Sequence, residues 1–203
     1  REGIVKALVQ GESIVVNSLC FPSQFGCTQD VPTYDYNPEK AKKLLAEAGY
    51  PNGFETPFLA YRNRDYAEAM INNLNAVGIK AKLEYLKYAA FRDKVQSGGA
   101  PFNFGTWGSY SINDVSAITS HFQSGGKDDY SKDPEVIKQL GIGDTSVDAN
   151  VRLAAYKAAL SRISGEAFMF PLWSYNTWYA FSKDVDFNPT PDEIPRFFTA
   201  KWM

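Results

Sequence analysis

With 203 residues, 44% of them hydrophobic, the chain has enough material for one sizeable buried core and falls within the range of one large domain. Its 21 basic and 23 acidic residues leave a net charge of −2, and no basic run or arginine–aromatic stripe disturbs that balance, which argues against a nucleic-acid partner. The longest apolar runs, such as Ala167 to Trp173, fall far short of the ~20 residues a membrane helix needs.

The chain opens Arg1-Glu2-Gly3 with no initiator Met and is read as the continuation of a longer polypeptide. Ile4 and Leu8, flanked by Val5 and Val9, fit one face of a short helix. Cys20 and Cys27 bracket a turn-rich segment whose Pro22 and Gly26 let the loop close on itself, which predicts a short-range disulfide and an oxidising compartment. The alternative is two unpaired, buried thiols. Two cysteines cannot make a four-ligand zinc site, and their spacing is not the C-x-x-C of redox enzymes.

Asn37 is placed to cap a helix, with Pro38 at its first position, Glu39 at its positive end, and Gly49 closing a run of good helix formers from Lys40 to Ala48. Thr56 to Tyr61 reads as a strand. From Asp65, the residues Ala67, Met70, Ile71, Leu74 and Val77 recur at helical spacing up to Gly78. Ala81 to Leu86 is a second strand, Tyr88 to Gln96 a short helix, and Phe102 to Trp107 a third strand. Alternating strands and helices predict an α/β fold with a mainly parallel sheet flanked by helices. Short helices are expected at Asp114 to Phe122 and Pro134 to Leu140. A longer one, from Asp148 or Asn150 through Arg162, is expected to pack on the sheet. Gly125 to Asp129 reads as a mobile polar loop.

Ligands of such sheets lie beyond the carboxyl ends of the strands. Those ends are Tyr61-Arg62-Asn63 and the segment Phe102 to Asp114, where an apolar strand runs into Trp107, Gly108, Ser109, Tyr110, Ser111 and Asn113. The run Phe168 to Trp173 ends in Ser174-Tyr175-Asn176, a third polar and aromatic cluster that is expected to share the same mouth. The candidate ligand-binding residues are therefore Trp107, Ser109, Tyr110, Ser111, Asn113, Arg62, Tyr61 and Asn176. Each has a plainer reading. Trp107 fits a core position, Tyr110, Ser111 and Asn113 fit a turn that caps the next helix, and Arg62 fits a solvated loop charge.

His121, the one histidine, reads as a helix-end or surface residue rather than a ligand or base. The spacing of Asp144, Ser146, Asp148 and Asn150 hints at calcium, but lacks the Gly and Glu that a calcium loop requires, and helix capping is favoured. No metal and no cofactor are expected. No nucleophile elbow, zinc-protease helix, phosphate loop or dinucleotide fingerprint is present, so no catalytic residue is assigned. Two further function classes stay open: a hydrolase pairing Asp114 with Glu84 or Asp65, and a sensor or interaction module that uses the same cleft.

Two stretches carry a family resemblance: Tyr34-Asp35-Tyr36-Asn37-Pro38-Glu39-Lys40-Ala41-Lys42-Lys43-Leu44-Leu45 and Ala48-Gly49-Tyr50-Pro51-Asn52-Gly53-Phe54. With Leu74, Gly78-Ile79, Trp107-Gly108, Phe170-Pro171-Leu172, Val185, Phe187 and Trp202, the chain resembles the later part of family 5 extracellular solute-binding proteins. These are the dipeptide, oligopeptide and nickel receptors of ABC importers. The resemblance implies one lobe of a periplasmic-binding-protein-like type II fold. Residues 34–203 would form the solute-binding lobe and residues 1–33 a connecting segment with the disulfide loop, with an N-terminal lobe of the same chain as partner. It also implies a periplasmic location, or one on the extracytoplasmic membrane surface, an ABC permease as partner, a small solute as cargo, and no chemistry performed. Peptide-binding members usually continue the tryptophan motif to an aspartate that pairs with the peptide amine. Here Ser109 stands in that place and Asp114 comes later. An opine-like compound or sugar conjugate is therefore weighed beside a peptide, because a buried ammonium without a counter-ion is costly.

Overall fold

The computed structural model describes residues 1–9, 11–108, 112–190 and 194–203. A short helix α1 (Glu2–Ala7) is followed by α2 (Pro38–Glu47), where the Asn37 side chain accepts a hydrogen bond from the Lys40 amide and Pro38 opens the helix. Then come β1 (Phe54–Ala60), α3 (Arg64–Asn75), β2 (Ile79–Tyr85), α4 (Tyr88–Gln96) and β3 (Asn103–Phe104). The C-terminal half holds the helices α5 (Ser116–Phe122), α6 (Pro134–Thr145) and α7 (Ala149–Gly165), then a hairpin pair β4 (Val185–Asp186) and β5 (Lys201–Trp202).

The sheet has the order β2-β1-β3, with β1 parallel to both neighbours, as the alternation predicted. Successive β1 side chains go to opposite faces. Phe58 and Ala60 join Tyr66, Ala67 and Ile71 of α3 in one buried cluster, while Leu59 meets Phe91 and Val95 of α4 in another. The start of the sheet is tight. A Cβ on Gly53, at φ +72°, would lie 1.8 Å from the Gly78 carbonyl oxygen, so the turn into β1 needs glycine.

Three expectations are corrected. The strand read over Phe102 to Trp107 is ordered as β only at Asn103 and Phe104, which pair with Leu59 and Ala60. β1 stops there because Asn63 takes a left-handed conformation, φ +50°, and turns the chain into α3, leaving Gly105 to Trp107 with no strand to pair with. The long helix α7 does not pack on the sheet. Its Ala155, Tyr156, Ala159, Leu160 and Ile163 meet Val136 and Leu140 of α6, Val115 and the disulfide loop in a separate core. The segment Gly125 to Asp129 is pinned rather than loose. Asp129 is buried and accepts from the amides of Gly125, Ser131 and Lys132 at 2.9 to 3.0 Å and from the Ser131 hydroxyl at 2.6 Å.

Residues 1–33 are woven into both halves. Val9 lies in the sheet core, and Leu19 and Cys20 lie in the helical core. The Arg1 guanidinium donates to the carbonyls of Val16 (2.8 Å) and Pro171 (3.0 Å). Cys20 and Cys27 are bridged, with Cα atoms 5.7 Å apart. Among the described residues no helix is long and apolar enough to cross a membrane.

Candidate functional site

The carboxyl ends of β1 and β3 are adjacent because the two strands pair in parallel, and the residues just beyond those ends meet side by side. Tyr61 continues the β1 alternation onto the α4 face, where its ring packs against Phe91 (4.9 Å) and Tyr88 (5.0 Å). Its hydroxyl lies 3.1 Å from the Thr106 hydroxyl. The next side chain, Arg62, donates to the same Thr106 oxygen at 3.0 Å, with its guanidinium carbon 5.2 Å from the centre of the Tyr61 ring. Arg62 is exposed and makes no ion pair among the described residues.

The turn at Asn63 receives the third cluster. Tyr175 donates its hydroxyl to Asn63 Oδ1 at 3.1 Å. Desolvation among its neighbours, followed by the influence of Tyr66, raises the Tyr175 phenol above its ordinary value, so it remains a donor across the accessible pH range. Asn176 faces elsewhere, donating to the Ser13 hydroxyl at 2.9 Å beside Gly11, and so ties the segment after Trp173 to the N-terminal stretch.

Trp107, one residue beyond Thr106, is half-buried. Its indole stacks on the His121 imidazole, with centroids 4.3 Å apart and planes at 27°, and meets the edge of Phe122 at 5.0 Å. His121 Nε2 lies 3.5 Å from Asp128 Oδ2, and Arg92 of α4 reaches the same carboxylate at 2.6 Å. Burial pushes the Asp128 carboxyl up, but the Arg92 hydrogen bond and charge outweigh it and hold it below the usual range. His121 stands in the last turn of α5, as its helix-end reading has it, and its ring backs the tryptophan. Asn113 has an exposed side chain, and its carbonyl accepts from the Phe25 amide at 3.1 Å. Ser109, Tyr110 and Ser111 lie outside the described residues.

Tyr61 and Arg62 thus meet at Thr106, Trp107 follows one residue on and packs against α5, and Asn176 is turned to the N-terminal segment. The candidate list left out Thr106, Tyr175, which stands in the third cluster, and His121, which reads as a helix-end or surface residue. Thr106 shares its alternation parity with Phe104, and a polar residue two beyond a buried one at a strand end was a readable signal. The His121 stack carries no local signal, because it depends on α5 folding back.

Two of the acids proposed for hydrolysis, Asp114 and Glu84, are engaged by separate basic partners. Asp114 binds Arg152 at 2.7 Å and caps the α5 turn through the Ser116 amide, and Glu84 pairs with Lys94. Asp148 caps α7 through the amides of Asn150 (2.8 Å) and Val151 (3.3 Å), and Asp144 accepts the Tyr156 hydroxyl at 2.8 Å. Among the described residues no group of three or more His, Cys, Asp or Glu side chains is placed to hold a metal.

A parallel sheet flanked by helices, with polar and aromatic groups at the carboxyl ends of its strands, where ligands of such sheets lie, defines an α/β fold of the periplasmic-binding-protein kind. Residues 1–129 match the family described as bacterial extracellular solute-binding proteins, family 5 (middle), and the chain belongs to that family. Among its relatives is heme-binding protein A of Haemophilus influenzae, 32% identical over a 106-residue alignment that covers 48% of this chain and 19% of that protein. The dipeptide-binding protein of Escherichia coli is 36% identical over 103 residues, 44% of this chain and 19% of the relative. The solved structure of HbpA2 from Haemophilus parasuis superposes on the whole chain with a TM-score of 0.83 at 25% identity, and the chain covers 42% of it. The chain therefore spans less than half the length of these proteins. The relatives' names describe binding proteins.

Proposed function

We propose that this chain is part of the substrate-binding component of an ABC importer. It would capture a small polar solute in the periplasm or at the extracytoplasmic membrane surface and hand it unchanged to a membrane permease. Residues 34–203 would supply one lobe of the receptor, with residues 1–33 as the connecting segment. The observation that carries this reading is the Tyr61–Arg62–Thr106 cluster. A guanidinium held by a threonine hydroxyl and a tyrosine face, with no carboxylate on it among the described residues, offers its remaining donors to an anionic group of the cargo. The favoured solute is peptide-like or opine-like, or a sugar conjugate, and bears a carboxylate, with the Trp107 indole as an apolar wall. Membership of family 5 supports the same reading.

The test is isothermal titration of the full-length receptor with a panel of dipeptides, glutathione, carboxylated sugar–amino acid conjugates and haem, with recovery of the solute afterwards. Saturable binding of a carboxylated solute that is recovered intact is expected. Turnover of the bound solute, or binding indifferent to removal of its carboxylate, would overturn the reading.

A further inference from the structure

Trp107 packs on His121 and Phe122 of α5, and the residues that lead into α5 are fixed by a piece of chain that has no helix or strand of its own. Ile112 gives its carbonyl to the Gln24 side-chain amide at 3.1 Å. Asn113 gives its carbonyl to the Phe25 amide at 3.1 Å, and the Val115 amide returns to the Phe25 carbonyl at 2.9 Å, making a parallel bridge between Phe25 and Asp114. Both partner residues, Gln24 and Phe25, lie between Cys20 and Cys27.

Gln24 is unusual for a loop glutamine. It is 8% exposed, and both ends of its amide are used: the oxygen accepts from Phe21 N at 2.9 Å inside the loop while the nitrogen reaches out to Ile112. The loop closes on itself through Gln24 N to the Phe21 carbonyl (2.9 Å) and Cys27 N to the Gln24 carbonyl (3.1 Å). Its outer side is seated as well. The Arg152 guanidinium of α7 lies 4.7 Å above the Phe25 ring and pairs with Asp114, and Gly26 at φ +80° touches the Tyr156 ring so closely that a Cβ would lie 2.5 Å from it. The loop is thus wedged between a rigid helical core and the residues that lead into α5, and the disulfide limits the shapes it can take.

We propose that the Cys20–Cys27 loop is the positioning element of the solute site, acting through Gln24 and Phe25 on residues 112–115 at the start of α5, whose His121 and Phe122 hold the indole, to fix where the Trp107 wall stands. This rests on the solute-capture reading above and adds to it a residue, Gln24, that touches no solute yet sets affinity. A loop serving stability alone would have no need of a buried amide aimed at Ile112, since its internal hydrogen bonds already close it.

The test uses the full-length receptor, isotopically labelled, in three forms: Gln24→Glu, which keeps the acceptor for Phe21 N and loses the donor to Ile112; Gln24→Leu; and the double variant Cys20→Ser/Cys27→Ser. Amide exchange at Val115, the indole N–H resonance of Trp107, and affinity for whichever panel solute binds the parent are measured together, with the α7 amides as the fold control. In each form the expected result is exchange at Val115 faster by at least tenfold, a displaced Trp107 resonance, affinity lower by at least fivefold, and α7 protection retained. Unchanged Val115 exchange and an unmoved indole, or full affinity despite faster exchange, would overturn the proposal. If no panel solute binds the parent, the capture reading falls, and the exchange and indole measurements alone decide whether the loop positions the segment.

Discussion

In the α6–α7 region the Arg152 guanidinium binds Asp114, the Gly143 carbonyl and the Tyr156 hydroxyl, Tyr156 passes on to Asp144, and Arg162 grips both oxygens of Asp133. At the sheet edge Arg62 holds one threonine hydroxyl and lies over one ring. The helical region closes its charges on itself, as a desolvated network must if it is not to destabilise the core. The edge leaves a cation with donors to spare where water can still reach it. The contrast separates polar residues that hold helices together from a cation that, in the capture reading proposed above, would meet a ligand, and the difference lies in how many of their hydrogen bonds are already satisfied.

The sharpest way to break this contrast is at Tyr156, which is fully buried. Tyr156→Ala empties the helical core and frees Arg152 and Asp144, and is expected to lower the unfolding free energy by about 3–5 kcal/mol in urea titrations. A loss below about 1 kcal/mol would mean that the network is ornamental. At the edge the expectation is reversed. Arg62→Ala should weaken binding of a carboxylated solute about tenfold, or ~1.4 kcal/mol, while moving the unfolding midpoint by no more than a solvated surface change does. Equal affinity in calorimetry would return Arg62 to the status of a loop charge.

The smallest effect concerns acid. Two hydrogen bonds from Arg162 and one from the Val136 amide hold the Asp133 carboxyl at about 2, against 3.8 for a free aspartate. The folded state therefore binds this proton less readily than the unfolded one. The contribution is complete well above pH 3.8 and is lost as the pH falls toward 2. Asp133→Asn should flatten the decline of the urea midpoint between pH 5 and pH 2, an interval of about three units chosen to bracket both values. An unaltered slope would show that acid acts elsewhere.

The sheet half was legible because its signals are local. Period-two apolar residues at Phe58 and Ala60, helical spacing at Ala67 and Ile71, and the Asn37–Pro38 cap each declare an element without knowledge of its neighbours. The Cys20–Cys27 bridge was legible for the same reason, since its turn residues sit between the two cysteines. The partner of α7 was not, because its apolar face looks the same whether a sheet or another helix covers it. The length of β3 was hidden too. Phe102 to Trp107 alternates like a strand, but a strand ends where its neighbour turns away, and that turn is set by Asn63 some forty positions earlier. At the candidate site, Tyr61, Arg62 and Trp107 were proposed from their place after strands, whereas the His121 stack and the Tyr175 tether needed distant segments to be brought together.

That stack also gives the molecule an internal gauge. The imidazole of His121 sits against the flat of the Trp107 indole, and the sequence contains no second histidine. Its ring protons lie in the shielding cone of the indole, so one isolated line in the aromatic proton spectrum follows the tilt of the wall on which the cargo is expected to rest. Cargo that rotates the tryptophan will move that line, and cargo that docks elsewhere will leave it still.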